Sequence, residues 1–230
     1  MKKNNNEWIS ISDMMSGLML VFLFIALSFM LQVNDEKERM QSIAVLYAKS
    51  KESLNKDLHK EFDKDLERWN AIITKDNGFV FNAPEVLFES GKSELKQKFK
   101  KILNDFFPRY LNILTSKYRN EIDEIRIEGH TSNDWESAKN RFEVYLNNMK
   151  LSQERALSVL KHVYLLQFPI INQYRIWLEK HLRANGMAYA KLKYVDNNKT
   201  LVDKVHSRRV EFRIRMKTEE KIYKILKAVE

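Results

Sequence analysis

VEFRIRM, residues 210–216, alternates without a break. Val210, Phe212, Ile214 and Met216 fall on one side, and Glu211, Arg213 and Arg215 on the other. Side chains along a strand repeat every two residues, so this is a strand with one buried face. Such a face needs a covering layer, and the sequence upstream supplies helices. Leu151 to Gln167 turns Leu151, Ala156, Val159, Leu160, Val163 and Leu166 inward. Leu95 to Lys117 repeats Phe99, Leu103, Phe106, Phe107, Tyr110, Leu111 and Leu114 at helical spacing. Trp135 to Leu146 and Ile170 to His181 read as further helices, and Thr218 to Val229 as a short terminal one. Phe79 to Phe81, Val86 to Phe88 and Ile122 to Glu128 read as strands. Strands and helices alternate, which predicts an α/β fold, an α+β sandwich built on one sheet.

Further upstream the pattern changes. Residues 34–75 contain neither Pro nor Gly. Ile43, Leu46, Tyr47, Leu54, Leu58, Phe62, Leu66, Trp69 and Ile73 recur mostly every three or four residues. That is a helical stripe, and a straight helix of this length would reach ~63 Å. Two uses remain open: pairing with a second copy along Leu54, Leu58, Phe62 and Leu66, or lying on the C-terminal domain. Asp76-Asn77-Gly78 is expected to end the helix in a turn.

Before it, residues 14–31 read MMSGLMLVFLFIALSFML, without a charge. About 18 helical residues cover ~27 Å, close to the hydrocarbon thickness of a bilayer. The apolar core of a cleaved signal peptide runs about 7–15 residues. Here the run continues past Ala26-Leu27-Ser28, so an uncleaved anchor is expected. Lys2 and Lys3 precede it, which puts the N-terminus in the cytoplasm by the positive-inside rule, and Trp8 suits an interfacial anchor. The expected division is 1–8 cytoplasmic, 9–33 membrane helix, 34–76 helical linker, 77–217 soluble domain and 218–230 C-terminal helix. Asp13 stands at the entrance of the span, on one stripe with Ser16, Gly17, Leu20, Phe24 and Leu27. Small residues beside an acid let another helix approach closely. An ionisable group in a membrane helix is costly and faces protein or a water path. The plainer alternative is an N-cap lying in the headgroups.

Composition narrows the chemistry. The chain has 230 residues, no cysteine and a net charge of +9. Disulfide scaffolds, thiolate metal sites and cysteine nucleophiles are therefore excluded. Residues 1–75 carry 11 basic and 11 acidic groups, whereas 76–230 carry 29 and 20, so the excess belongs to the C-terminal part. A basic domain suits an anionic polymer. No arginine-rich run with interleaved aromatics occurs, and nucleic acid is not expected as a partner. His59, His130, His162, His181 and His206 lack metal-ligand spacing, so no metal or other cofactor is expected. Gly91-Lys92-Ser93 lacks the glycine that a phosphate-binding loop needs at position 86, where Val stands. No serine–histidine–acid set stands out, and an enzyme is not expected.

Residues 8–15, WISISDMM, resemble the start of the membrane helix of MotB-type stator subunits. The wider stretch 12–30 is similar to the ZorB subunits of Zorya anti-phage defence systems. The resemblance implies that Asp13 accepts the driving ion, expected to be a proton. It implies two copies of the chain inside a ring of five polytopic MotA/ZorA-like subunits. Four further segments resemble, in order, the OmpA-like peptidoglycan-binding domain: VLFESGKSEL (86–95), IRIEGHTS (125–132), LSQERALSV (151–159) with Asn148 before it, and SRRVEFRI (207–214). That family holds the diaminopimelate of the peptide stem with a loop aspartate and an arginine. Arg155 matches the arginine, with Asn148 and Leu151 shaping the pocket. The aspartate position holds Ser132, and Asp134 is the nearest replacement. The implied protein is an inner-membrane, single-pass stator subunit, homodimeric and anchored to peptidoglycan, with its soluble domain periplasmic. The alternatives are a passive OmpA-like tether and an energy-transducing subunit of the TolR/ExbD kind.

Overall fold

The computed structural model describes residues 5–217; the expected cytoplasmic residues 1–4 and the helix expected over 218–230 lie outside them. The described residues divide into two units, one ending at Tyr47 and the other starting at Ala48. Helix α1 (Asn5–Trp69) begins in the first and ends in the second.

Within the first unit, α1 carries the one segment among the described residues that is long and apolar enough to cross a membrane. Its large apolar side chains from Ile11 to Val33 are exposed. Asp13 is exposed on this helix and has no ion pair among the described residues. Ser16 folds its hydroxyl back onto the Ser12 carbonyl, at 2.8 Å, so the serine presents no free donor along the helix.

The second unit is a single five-stranded sheet with helices packed on it. β1 (Ala71–Ile73) and β2 (Phe79–Phe81) form a hairpin. β3 (Ile122–Gly129), β4 (Leu182–Gly186) and β5 (Val210–Met216) complete the order β1-β2-β5-β3-β4. Neighbours are antiparallel except β3 and β4. A parallel pair needs a crossover, and α4 (Arg141–Tyr164) with α5 (Pro169–His181) supplies it. The remaining helices are α2 (Pro84–Leu87), α3 (Gln97–Lys117) and α6 (Lys204–Ser207). The α+β sandwich on one sheet is thus the observed architecture.

Four differences from the sequence reading have physical causes. α1 stops at Trp69 rather than continuing to residue 75, because Asn70 takes a left-handed φ of 49°. Asn tolerates that conformation better than most residues and often closes helices in it. The chain then enters β1, and Asn77 (φ 60°) helps turn it back into β2. Residues 84–87 form a helical turn rather than a strand, beginning at Pro84, and proline is favoured at a helix's first position. Phe88 then makes an isolated antiparallel bridge to Leu95. The helices expected over 135–146 and 151–167 are one helix, α4, whose cap is Asn140: its side chain accepts from the Glu143 N–H at 2.9 Å while the Glu143 carboxylate accepts from Lys139 N–H at 2.8 Å. Leu182–Gly186, not expected as a strand, follows α5 as β4 at the sheet edge.

The stripe on α1 is used within the domain. Leu54, Leu58 and Phe62 are fully buried, and Trp69 nearly so. Phe62 packs edge-on against Phe79 of β2 at 5.3 Å and at a tilt against Phe106 of α3 at 5.4 Å. Arg109 of α3 lies over the Phe62 ring and binds Glu61 at 2.7 Å and Asp65 at 2.9 Å. Tyr118 and Lys117 both reach Asp57, each at 2.8 Å. Of the two uses left open by the sequence, this face lies on the domain, and Leu58 is closed to a second copy. Leu58→Ala should therefore cost about 2–5 kcal/mol, the range for a buried leucine left as a cavity. The denaturation midpoint of the full-length protein in detergent measures it. A shift within error would mean that this turn of α1 is not part of the core.

Candidate functional site

α4 sits hard against the ends of β3 and β4. A Cβ on Gly129 would stand 2.2 Å from the Ser152 carbonyl oxygen, so only glycine allows the helix this close. The Ser152 hydroxyl accepts the Ala188 N–H at 3.0 Å, and Gln153 clamps the backbone of β4 through Ala184 O and Gly186 N. These contacts fix the face of α4 that carries Asn148, Leu151 and Arg155. That face closes a cavity of about 570 Å³ together with the 88–91 turn, the loop 131–137 and α6.

All five residues expected to bind a ligand there line this one cavity: Ser132, Asp134, Asn148, Leu151 and Arg155. Arg155 is buried. Its Nε donates to the Lys92 carbonyl at 2.9 Å and one Nη to the Glu89 carbonyl at 3.3 Å. The guanidinium lies 4.8 Å above the Phe88 ring. Burial pushes its pKa down, with the Arg208 cation adding to the effect, to about 10. It therefore stays charged at neutral pH. Among the described residues it has no carboxylate partner. Arg155 stands in the middle of α4, not near a helix start, because the helix begins at Arg141. The partial charge of a helix N-terminus falls off within the first turn and does not reach it. The turn at Glu89–Lys92, where Gly91 takes a φ of 69°, presents carbonyls to a cation, the opposite polarity to a phosphate-binding loop.

Asp134 occupies the loop but is already engaged. Its carboxylate is 3.3 Å from the Lys204 ammonium. Burial works against its ionisation, but the Ser132 hydroxyl and Lys204 outweigh it and hold the pKa below the usual value. Asn148 donates to the Asp134 carbonyl at 3.3 Å and to the Val144 carbonyl at 2.9 Å, tying the loop to α4. Sequence reading missed Trp135, Glu136, Lys96, Val205 and Arg208 in the lining. Arg208 lies inside the quoted SRRVEFRI segment, so the signal was present, but the strand pattern after it drew the reading.

A second polar cluster lies at the β3–β5 pairing. Glu128 and Glu211 are direct cross-strand partners, and both are buried, although alternation placed Glu211 on a polar face. Their charges are met by Arg209, 2.6 Å from Glu211, by Arg213 at 3.3 Å and by Lys191, 3.4 Å from Glu128. His130 is buried beside them, with Nε2 at 3.4 Å from Glu128 and 3.7 Å from Glu211, and neither ring nitrogen makes a well-formed hydrogen bond. Burial and the Arg209 cation lower its pKa. Strand pairing thus assembles two carboxylates and a histidine that chain spacing kept apart, and these could geometrically hold a metal. Three cations already face two carboxylates, however, and a divalent ion would add to an excess of positive charge. The cluster is a charge-compensated pin between β3 and β5.

The OmpA family model matches residues 87–200, which include all of the cavity lining except Val205 and Arg208. In fold the domain is similar to the cell wall anchor of the T6SS from Pseudomonas aeruginosa, at 17% identity over 70% of this chain and 97% of that one (TM-score 0.46). It is also similar to the periplasmic domain of Helicobacter pylori MotB, at 19% identity over 69% and 97% (TM-score 0.41). The domain is of the OmpA kind, preceded by one apolar helix. Over its length the chain is 42% identical to the Zorya protein ZorB of Escherichia coli, covering 97% of this chain and 94% of that protein. It belongs to the ZorB family.

Proposed function

We propose that this chain is the wall-anchored, non-enzymatic stator subunit of a proton-driven membrane motor that acts in anti-phage defence. Asp13 takes up the ion, and the OmpA-type domain holds peptidoglycan through the Arg155 cavity. The chain sits in the inner membrane with its N-terminus cytoplasmic and its domain periplasmic. Two copies stand within a ring of five polytopic ZorA-like subunits. The observation that carries this reading is Asp13 itself: it is the only charged residue between Trp8 and Asn34, on a helix fit to span a bilayer. A lone acid there is costly unless protein or a water path receives it. The kinship with ZorB supports the assignment to defence.

The test is a phage challenge of a sensitive host carrying this chain, its polytopic partner, both or neither. Protection is expected only with both. Protection by this chain alone would favour a passive tether with another role, and no protection with both would remove the defence assignment.

A further inference from the structure

From Ser50 towards its N-terminus, α1 shields one stripe of side chains. Tyr47, Ile43 and Met40 are half-buried, and every other residue from Leu31 to Lys49 is exposed. Their spacing continues the stripe of Leu54, Leu58 and Phe62. A helix with water on all sides exposes its faces alike, so this stripe has an occupant.

The end of the sheet points to one. Lys217, the last described residue, donates its N–H to the Glu121 carbonyl at 2.8 Å, and the Glu121 carboxylate accepts the Ser50 hydroxyl. The chain therefore leaves β5 beside Ser50. It continues as TEEKIYKILKAVE, residues 218–230. As a helix these residues would be ~20 Å long, and α1 from Ser50 to Met40 measures ~15 Å. Ile222, Ile225, Leu226 and Val229 recur at helical spacing. Thr218 suits an N-cap, and Glu219 and Glu220 suit a first turn. A helix this short is marginal alone in water and needs a surface for its apolar face.

We propose that residues 218–230 dock antiparallel on the Met40–Ile43–Tyr47 stripe and close a helical hairpin that braces α1. In that register Ile222 comes level with Tyr47, Leu226 with Ile43 and Val229 with Met40, because both stripes span seven residues. Glu219 and Glu220 come level with Lys49, and Glu230 with Arg39. Neither Lys49 nor Arg39 has an ion pair among the described residues. A second copy of α1 lying parallel on this stripe would instead set Lys49 against Lys49 and Arg39 against Arg39, and like charges disfavour such a partner.

The chain has no cysteine, so engineered pairs report cleanly. In the full-length protein in detergent, Ile43→Cys with Leu226→Cys should oxidise to a disulfide within one chain. The band should stay at monomer mass, and digestion should join the peptides carrying the two positions. Val45→Cys with Leu226→Cys is the control, because Val45 is exposed on the opposite side of α1, and it should cross-link on the order of 10-fold less. Deleting 218–230 should speed amide exchange over 40–47 on the order of 10-fold and leave 54–62 protected. If the deletion also unprotects 54–62, the cysteine pairs decide. A dimer-mass band from Ile43→Cys alone would place a second copy on the stripe and overturn the proposal. A dimer-mass band that needs both cysteines would mean a segment swapped between copies, which overturns it too. Equal cross-linking at Val45 and Ile43, or exchange over 40–47 that ignores the deletion, would show that the segment does not dock here.

Discussion

Asp13→Asn is expected to abolish protection against phage while leaving the protein at its normal level in the membrane and still bound to sacculi. Asparagine keeps the size and polarity of aspartate but cannot lose and regain a proton. One elementary charge crossing 100 mV supplies ~2.3 kcal/mol, so sustained work needs many crossings, each through a group that ionises in every cycle. No other residue from Trp8 to Asn34 can do that. Among the described residues Asp13 is exposed and no side chain would be orphaned by the change, so folding should not be affected. A Cβ on neighbouring Gly17 would touch nothing among the described residues, which leaves that stripe open for a partner helix. Asp13→Glu retains the carboxylate one methylene further out and should keep part of the activity. Full protection by Asp13→Asn would end the motor reading, whatever the domain binds.

The sequence disclosed periodic elements well and junctions poorly. β5, β3, α3 and α5 were legible because each shows its own repeat over enough residues, whereas β2 was legible only as the short apolar run Phe79–Phe81 after a turn. The β1–β2 hairpin was not, because Ala71–Ile73 continues the helical stripe of α1 and only the backbone conformation of Asn70 separates them. α4 was divided in two because its first turns expose Phe142 and Leu146 while its later turns bury Leu151, Ala156 and Val159, so the apolar face changes along one helix. The Asn140/Glu143 cap was readable in the sequence and marks the true start. In the cavity, the residues reached by motif are those on α4 and the loop that follows β3. Arg208 comes from a segment whose alternation drew the eye to β5, and the carbonyls of Glu89 and Lys92 have no side-chain signature at all. Nor could sequence show that Asp134 is already paired, since Lys204 lies 70 positions away.

Arg155→Ala carries the other large effect: binding of the protein to purified sacculi should fall on the order of 30- to 1,000-fold. The guanidinium is buried and charged, and no acid of the described chain answers it. A ligand carboxylate would therefore meet a cation already desolvated and held in place by two carbonyls and the Phe88 ring. Truncating one side of such a charge-assisted contact costs about 2–4 kcal/mol, which gives the stated range. The same change removes a donor from the Lys92 carbonyl and leaves the Glu89 carbonyl with the Lys92 N–H alone, so the 88–95 turn should loosen and the thermal midpoint should drop by a few degrees. That drop is separable from binding. Arg155→Lys keeps a charge near one carbonyl and should recover much of the stability, but it lacks the fork that grips a carboxylate with two parallel bonds and should recover little of the affinity. Asp134→Ala should act differently. It frees Lys204 and Ser132 without removing a cation, so binding should change by less than about 10-fold, through loss of loop order rather than loss of a contact. Sedimentation with sacculi that is unchanged in Arg155→Ala, with the fold intact, would mean that the domain grips the wall elsewhere or does not grip it at all.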